Sequence, residues 1–193
     1  MPTIQRKLYL TRTSPYARKV IVCAAVQNVE LEYVEAPPFK DLEHVLQTAP
    51  VGRVPALFTS EGTFHDSRAI CRYLGMEPRS SADLELVSLA DALMDGAVAA
   101  VLEARRPSMG LGGGDDAWIA RQMYRVDRVL EALETQAPSP SSPWSLGSIG
   151  LAVGLAYLDF RHESVDWRRR KRLAAFAATH FERPEMRDTA FPV

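Results

Sequence analysis

The sequence predicts a chain in two parts: an α/β segment with a mixed sheet over residues 1–77, then an all-helical segment over residues 83–193. Two observations carry this. Residues 1–77 alternate between short strand-like runs and helical periodicity, in the order β-α-β-α-β-β-α. From Ala82 onward every periodic stretch is helical and no strand pattern recurs. The run "MEPRSS" (76–81) between them has the composition of a linker.

In the first segment "KLYL" (7–10) reads as a strand, and "PYARKVIVCAAVQN" (15–28) as a helix with Pro at its first position. "LEYVEA" (31–36) alternates as a strand does, "PFKDLEHVLQTA" (38–49) is a short helix or loop, and "VPALFT" (54–59) and "TFHD" (63–66) are strands about a Glu-Gly turn. "SRAICRYL" (67–74) is a helix ended by Gly75. In the second segment long helices are expected over 82–106 and 117–136. A further helix over 146–162 is apolar nearly all round, as a central buried helix must be, and another spans 166–184, stopped near Pro184. The glycine-rich "SMGLGGG" (108–114) is a helix–helix connection. No Gly-Lys-Ser/Thr follows it, so it is not a phosphate loop.

A net charge of −1 removes any global pull toward nucleic acid or an anionic membrane. The one basic run, "WRRRKR" (167–172), reads as a solvated face near a helix start. Cys23 and Cys71 lie far apart in helical patterns, which argues against a disulfide scaffold or a zinc site and fits packed thiols in a reducing compartment. The N-terminus lacks a signal-like apolar core, and "IGLAVGLAYL" (149–158) is too short to cross a bilayer, so a cytoplasmic protein is expected.

Three stretches of the first segment carry chemistry. In "TSPYARKV" (13–20), Ser14 before Pro15 suits an N-cap; the same hydroxyl at a positive helix end suits holding or activating an anion. In "APVGRVPAL" (49–57), Pro55 opens a strand, and a cis Val54–Pro55 bond would present the Val54 backbone to a partner. In "HDSRAI" (65–70), Asp66 and Ser67 start a helix, with side chains and free backbone N–H groups together. Each taken singly also reads as a local cap or tight turn.

In this order, "SPYARKV", "GRVPAL", "DSRAICRYL" and the tail "GLAYLDFRH…FERPEMRDTAFP" resemble a bacterial glutathione S-transferase over nearly the whole chain. The resemblance implies a thioredoxin-like glutathione-binding domain followed by the family's helical domain, which lines the electrophile site. It implies that Val54, beside Pro55, pairs with the cysteinyl backbone of glutathione. Asp66 and Ser67 would hold the γ-glutamyl end, with Arg53 and Lys40 as weaker candidates for the glycyl carboxylate. Ser14, or else Thr13 one residue earlier, would donate to the glutathione thiolate, and Tyr16 would line the electrophile pocket. No cysteine stands at either hydroxyl position, which argues against reduction through a protein mixed disulfide. Glutathione would be a co-substrate, with no bound cofactor, metal, nucleic acid or membrane. The second substrate would be a small hydrophobic electrophile and the assembly a homodimer. The competing function is a catalytically weak glutathione-, ligand- or partner-binding protein of the same fold.

Two details depart from the family pattern. The Ser/Thr-x-x-Asp box that opens the buried helix is here "SLGS" (145–148), with Ser148 in place of Asp, so the reciprocal carboxylate bond is lost. The glycine loop follows Arg105 and Arg106, which suit the carbonyl end of a helix or, by resemblance, could face glutathione across a dimer interface.

Overall fold

The structure is a computed structural model that describes residues 6–36, 46, 49 and 51–192. The chain divides into two compact units, one running to Glu77 and taking up the tail from Asp188, the other spanning Pro78–Arg187. The tail thus lies with the first unit, whereas the sequence division assigns 83–193 whole to the helical part.

The first unit has the thioredoxin-like arrangement. Strands β1 (Lys7–Leu10), β2 (Glu32–Glu35), β3 (Ala56–Thr59) and β4 (Gly62–Phe64) form one mixed sheet in the order β2-β1-β3-β4. β1 is parallel to β2 and antiparallel to β3, and β4 is antiparallel to β3. The alternation of β1 puts Leu8 and Leu10 in the core. Helices α1 (Pro15–Val26) and α2 (Ser67–Tyr73) pack on each other. Cys23 and Cys71 are fully buried there beside Val20, Val22 and Ile70. The segment expected as a short helix or loop over 38–49 falls outside the described residues except at Leu46 and Ala49, and Lys40 lies outside them too. The tail is fastened by Arg18, a buried α1 residue. Its guanidinium sits over the Phe191 ring (4.5 Å) and 3.4 Å from the Thr189 hydroxyl. Burial lowers its pKa to about 10.

The second unit is helical: α3 (Ser81–Arg105), α4 (Asp116–Gln136), α5 (Leu146–Arg161), α6 (Lys171–His180) and the short α7 (Pro184–Arg187). α5 is buried on nearly every face, as its composition requires. Its missing cap-box carboxylate is supplied by another helix. The Ser145 oxygen accepts from the Ser148 N–H (3.2 Å), and its hydroxyl donates to Asp83 Oδ1 of α3 (2.5 Å). The Gly147 N–H donates to the same oxygen (3.1 Å), and the Arg79 N–H to Asp83 Oδ2 (2.9 Å). Gly147 is required by proximity: a Cβ there would stand 2.5 Å from Asp83 Oδ1 and 2.9 Å from Leu86.

The expected helix over 166–184 is broken. Trp167–Arg169 form a 3-10 turn, Arg170 is extended (ψ 103), and α6 ends at His180, so that Pro184 begins α7 instead of stopping a helix. The cause is tertiary. The buried Arg170 reaches Asp127 of α4 (2.5 Å), and the Glu134 carboxylate of α4 caps α6 by accepting from the Arg172 and Leu173 N–H groups, both at 3.0 Å. The basic run is solvated as read, with Arg168, Arg169, Lys171 and Arg172 exposed at the start of α6, but Arg170 is buried and the run also makes ties to its neighbours. Arg168 forks onto Asp159 (2.6 and 2.8 Å), and Arg172 donates to the Thr135 and Ala137 carbonyls.

His180 carries a pH dependence of stability. It is fully buried, stacked on Trp144 (4.8 Å) and against Phe176 (4.2 Å), and its Nδ1 accepts from Arg183 Nε (3.0 Å). Burial first, then the Arg183 charge, pushes its pKa down to about 4. An unfolded chain protonates this imidazole near pH ~6.5, so it binds the extra proton between that pH and about 4 and stability falls as pH falls through that window. Urea midpoints measured from pH 7 to pH 4 should show this decline, and His180→Gln should flatten it.

Candidate functional site

Strand register brings the three motifs to one end of the first unit's sheet. Tyr9 pairs with Ala56 and Leu57 with Phe64, so the end of β1, the start of β3 and the end of β4 lie side by side. Neighbouring strands are about 4.8 Å apart and each residue advances about 3.3 Å. Val54 stands two residues before the Ala56 pair, Asp66 two beyond Phe64, and Ser14 follows β1 through a tight turn in which its N–H donates to the Thr11 carbonyl (3.0 Å).

Ser14 is the N-cap of α1, with Pro15 in the first turn. Its oxygen accepts from the Ala17 N–H (3.2 Å), and no acceptor among the described residues takes its hydroxyl proton. Capping and donating are therefore compatible in one hydroxyl, because the oxygen accepts the cap bond while the O–H points elsewhere. Thr13 is half-buried, and its hydroxyl has no hydrogen bond among the described residues. Tyr16 is half-buried in the first turn of α1. Tyr9 packs in the sheet against Phe58, ring centroids 4.8 Å apart.

The Val54–Pro55 bond is cis. Val54 packs against the buried Ala36, Ala49 and Ala56, and its backbone lies beyond the last registered pair of β3. Arg53 is exposed and has no ion-pair partner among the described residues. Asp66 caps α2: its Oδ1 accepts from Arg68 N–H (2.8 Å) and Ala69 N–H (3.4 Å), which leaves Oδ2 unused. Ser67 is 4% exposed, and among the described residues its hydroxyl has no partner. Asp66 does not cap the Ser67 N–H, so that residue offers two donors side by side.

His65 is a polar group of this end that motif reading passes over. It joins Asp66 through a cis bond, and its Nδ1 is buried without a hydrogen-bond partner among the described residues. Only its place beside the acid-Ser pair marks it in the sequence. A hollow of about 260 Å³ lies in the helical unit, between α4 and the 3-10 turn, and its two arginines, Arg169 and Arg170, are both engaged by Asp127.

The arrangement offers donors for an anion, an exposed carboxylate oxygen for a cation and the backbone of Val54 just before β3, groups that suit a zwitterionic peptide. The glutathione S-transferase N-terminal domain profile matches residues 8–81, and the C-terminal domain profile matches residues 116–178. The chain is similar to a glutathione S-transferase of Methylobacillus flagellatus KT, solved with glutathione bound. The two share 33% identity and a TM-score of 0.85, covering 98% of this chain and 100% of that one. It is also similar to a glutathione transferase family member from Pseudomonas fluorescens Pf-5 with bound glutathione, at 29% identity and a TM-score of 0.85 over 98% and 100%. The uncharacterised GST-like protein YibF of Escherichia coli (strain K12) is 28% identical over 176 residues, 83% of this chain and 86% of its own. The chain belongs to the glutathione S-transferase family.

Proposed function

We propose that this chain is a glutathione transferase, which binds the tripeptide at the shared sheet end and activates its thiol against a small hydrophobic electrophile. The observation that supports this most is the pair of hydroxyls, Ser14 and Ser67, whose protons are uncommitted beside the open Val54 backbone. Val54 N–H and C=O would pair in antiparallel fashion with the cysteinyl residue, as an added strand does. Ser67 N–H and O–H would hold the γ-glutamyl carboxylate, and the unused Asp66 oxygen the α-ammonium. Arg53 and Lys40 would serve the glycyl carboxylate. Ser14 O–H would donate to the sulfur, lowering the thiol pKa from its ordinary value of about 8.5 so that thiolate is present at neutral pH. Thr13 is the second candidate for that donor. The thiolate forms the S–C bond and the leaving group departs with the bonding pair. Tyr16 would line the electrophile pocket. Glutathione is a co-substrate in this reading, the protein is a cytoplasmic homodimer, and the role is detoxification.

The direct test offers the chain glutathione and an activated aryl halide. Halide release matched by loss of free thiol, above the spontaneous rate, supports turnover. Saturable glutathione binding without turnover supports the second reading, a glutathione- or ligand-binding protein. That reading draws on the Ser14 oxygen already serving as a cap. No helix among the described residues is long and apolar enough to cross a membrane.

A further inference from the structure

Arg18 stands one helical turn after Ser14, and its N–H donates to the Ser14 carbonyl (3.1 Å). The two residues are therefore neighbours on one side of the first turn of α1. Helical side chains lean toward the N-terminus, so the Arg18 side chain covers the turn that Ser14 opens. That turn holds the candidate thiol donor in place. The Ala17 N–H donates to Ser14 Oγ (3.2 Å), and the Ser14 N–H to the Thr11 carbonyl (3.0 Å).

The tail of the chain is laid on the Arg18 side chain. Thr189 and Phe191 are half-buried while Asp188, Ala190 and Pro192 are exposed, the alternation of an extended segment with one side against a surface. The buried Arg18 meets that side: its Nε lies 3.4 Å from Thr189 Oγ1, and its guanidinium is 4.5 Å from the centre of the Phe191 ring. Both contacts lie within the first unit, to which the tail belongs. A tether could fasten the tail anywhere on that unit. Here the fastening falls on the residue whose own N–H closes the turn at Ser14.

We propose that Thr189 and Phe191 act through Arg18 as positioning residues for the Ser14 hydroxyl, which makes the tail part of the thiol-activating device. The effect on the thiol rests on the transferase reading. Helix ends fray, and a guanidinium pinned between a ring and a hydroxyl restrains the turn beneath it. The Ser14 O–H must point at the sulfur while its oxygen keeps the cap bond, and a displacement on the order of 1 Å at such a donor costs rate heavily. The tail removes that freedom.

The test compares the full chain with Phe191→Ala, with the milder Thr189→Val and with Phe191→Tyr, which keeps a ring over the guanidinium. Thermal melts establish which variants fold, and Thr189→Val carries the same readouts if Phe191→Ala does not. In Phe191→Ala the amides of Ala17 and Arg18, which donate to Ser14, should exchange with solvent about tenfold faster, while those of Val22 and Cys23 in the same helix keep their rates. Thiolate absorbance against pH should then show a raised pKa for bound glutathione, and kcat/KM at neutral pH should fall by about 3- to 30-fold. Glutathione affinity, measured where the thiol is protonated, should be unchanged, and Phe191→Tyr should behave as the wild type. First-turn amides at wild-type rates in the variants, or a lower melting temperature with the thiol pKa unmoved, overturns the proposal. Faster first-turn exchange in a chain whose wild type binds no glutathione removes the transferase reading and leaves the tail's hold on the Ser14 turn standing.

Discussion

Asp83→Ala is expected to destabilise the helical unit by about 3 kcal/mol or more, because each orphaned buried donor costs about 1–3 kcal/mol. The Ser145 hydroxyl and the Gly147 N–H both lose their acceptor, and the Arg79 N–H loses the other carboxylate oxygen. For a chain of this size the midpoint of thermal unfolding should fall by about 6–12 °C. Asp83→Asn keeps an acceptor and should cost less. Ser148→Ala removes only the 3.1 Å bond to Ser145 Oγ and should cost about 1 kcal/mol or less. Gly147→Ala drives a methyl against the Asp83 carboxylate and Leu86, for about 1–3 kcal/mol. In the Asp83→Ala background the carboxylate clash is gone, so the two substitutions should be non-additive, with the second cheaper than it is alone. Thermal melts of the four single variants and the double variant check all of this.

The second large effect is on chemistry. Ser14→Ala should raise the pKa of bound glutathione toward about 8.5, and it should lower kcat/KM at neutral pH about 10- to 100-fold. The sign follows from what the hydroxyl stabilises: it donates to the thiolate, so its loss favours the thiol. Above the thiol's own pKa solvent makes the thiolate unaided, and the defect should narrow as pH rises. Ser14 also caps α1, so the alanine variant costs stability of about 0.5–2 kcal/mol, while glycine at an N-cap costs only a few tenths. Ser14→Gly therefore separates the roles, with near wild-type stability and the full loss of rate. Thiolate absorbance followed against pH for wild type, Ser14→Ala, Ser14→Gly and Thr13→Ala reads the effect directly. A shift confined to Thr13→Ala would move the donor to that residue.

Much of the first unit was legible because its signals are local. The alternation in "KLYL" buries Leu8 and Leu10, and Ser14-Pro15 marks a helix start whose cap geometry is met. Asp66 before Ser67 does the same for α2. The apolar girth of residues 146–161 announced a central helix. What escaped depends on residues distant in sequence. The carboxylate absent from position 148 comes from Asp83, 62 residues before its partner Ser145. The break at Arg170 and the start of α6 are set by Asp127 and Glu134, which no periodicity within 166–184 encodes. The basic run is exposed as read, but its ties to Asp159 and to the carbonyls of residues 135 and 137 are likewise made outside the run. The tail reads as a continuation of the helical part, yet Arg18 and Phe191 bring it to the first unit. At the candidate site the residue types were legible, whereas the spare hydroxyl protons and the unused Asp66 oxygen became visible only once the hydrogen bonds were laid out.

The account turns on whether the shared sheet end holds glutathione. Calorimetric titration of glutathione into the wild type and Ser67→Ala tests this most directly. The account predicts saturable binding by the wild type and affinity about 10- to 100-fold weaker in the variant, the loss expected for hydrogen bonds to a charged carboxylate. No binding by the wild type, or equal binding by both, would contradict it.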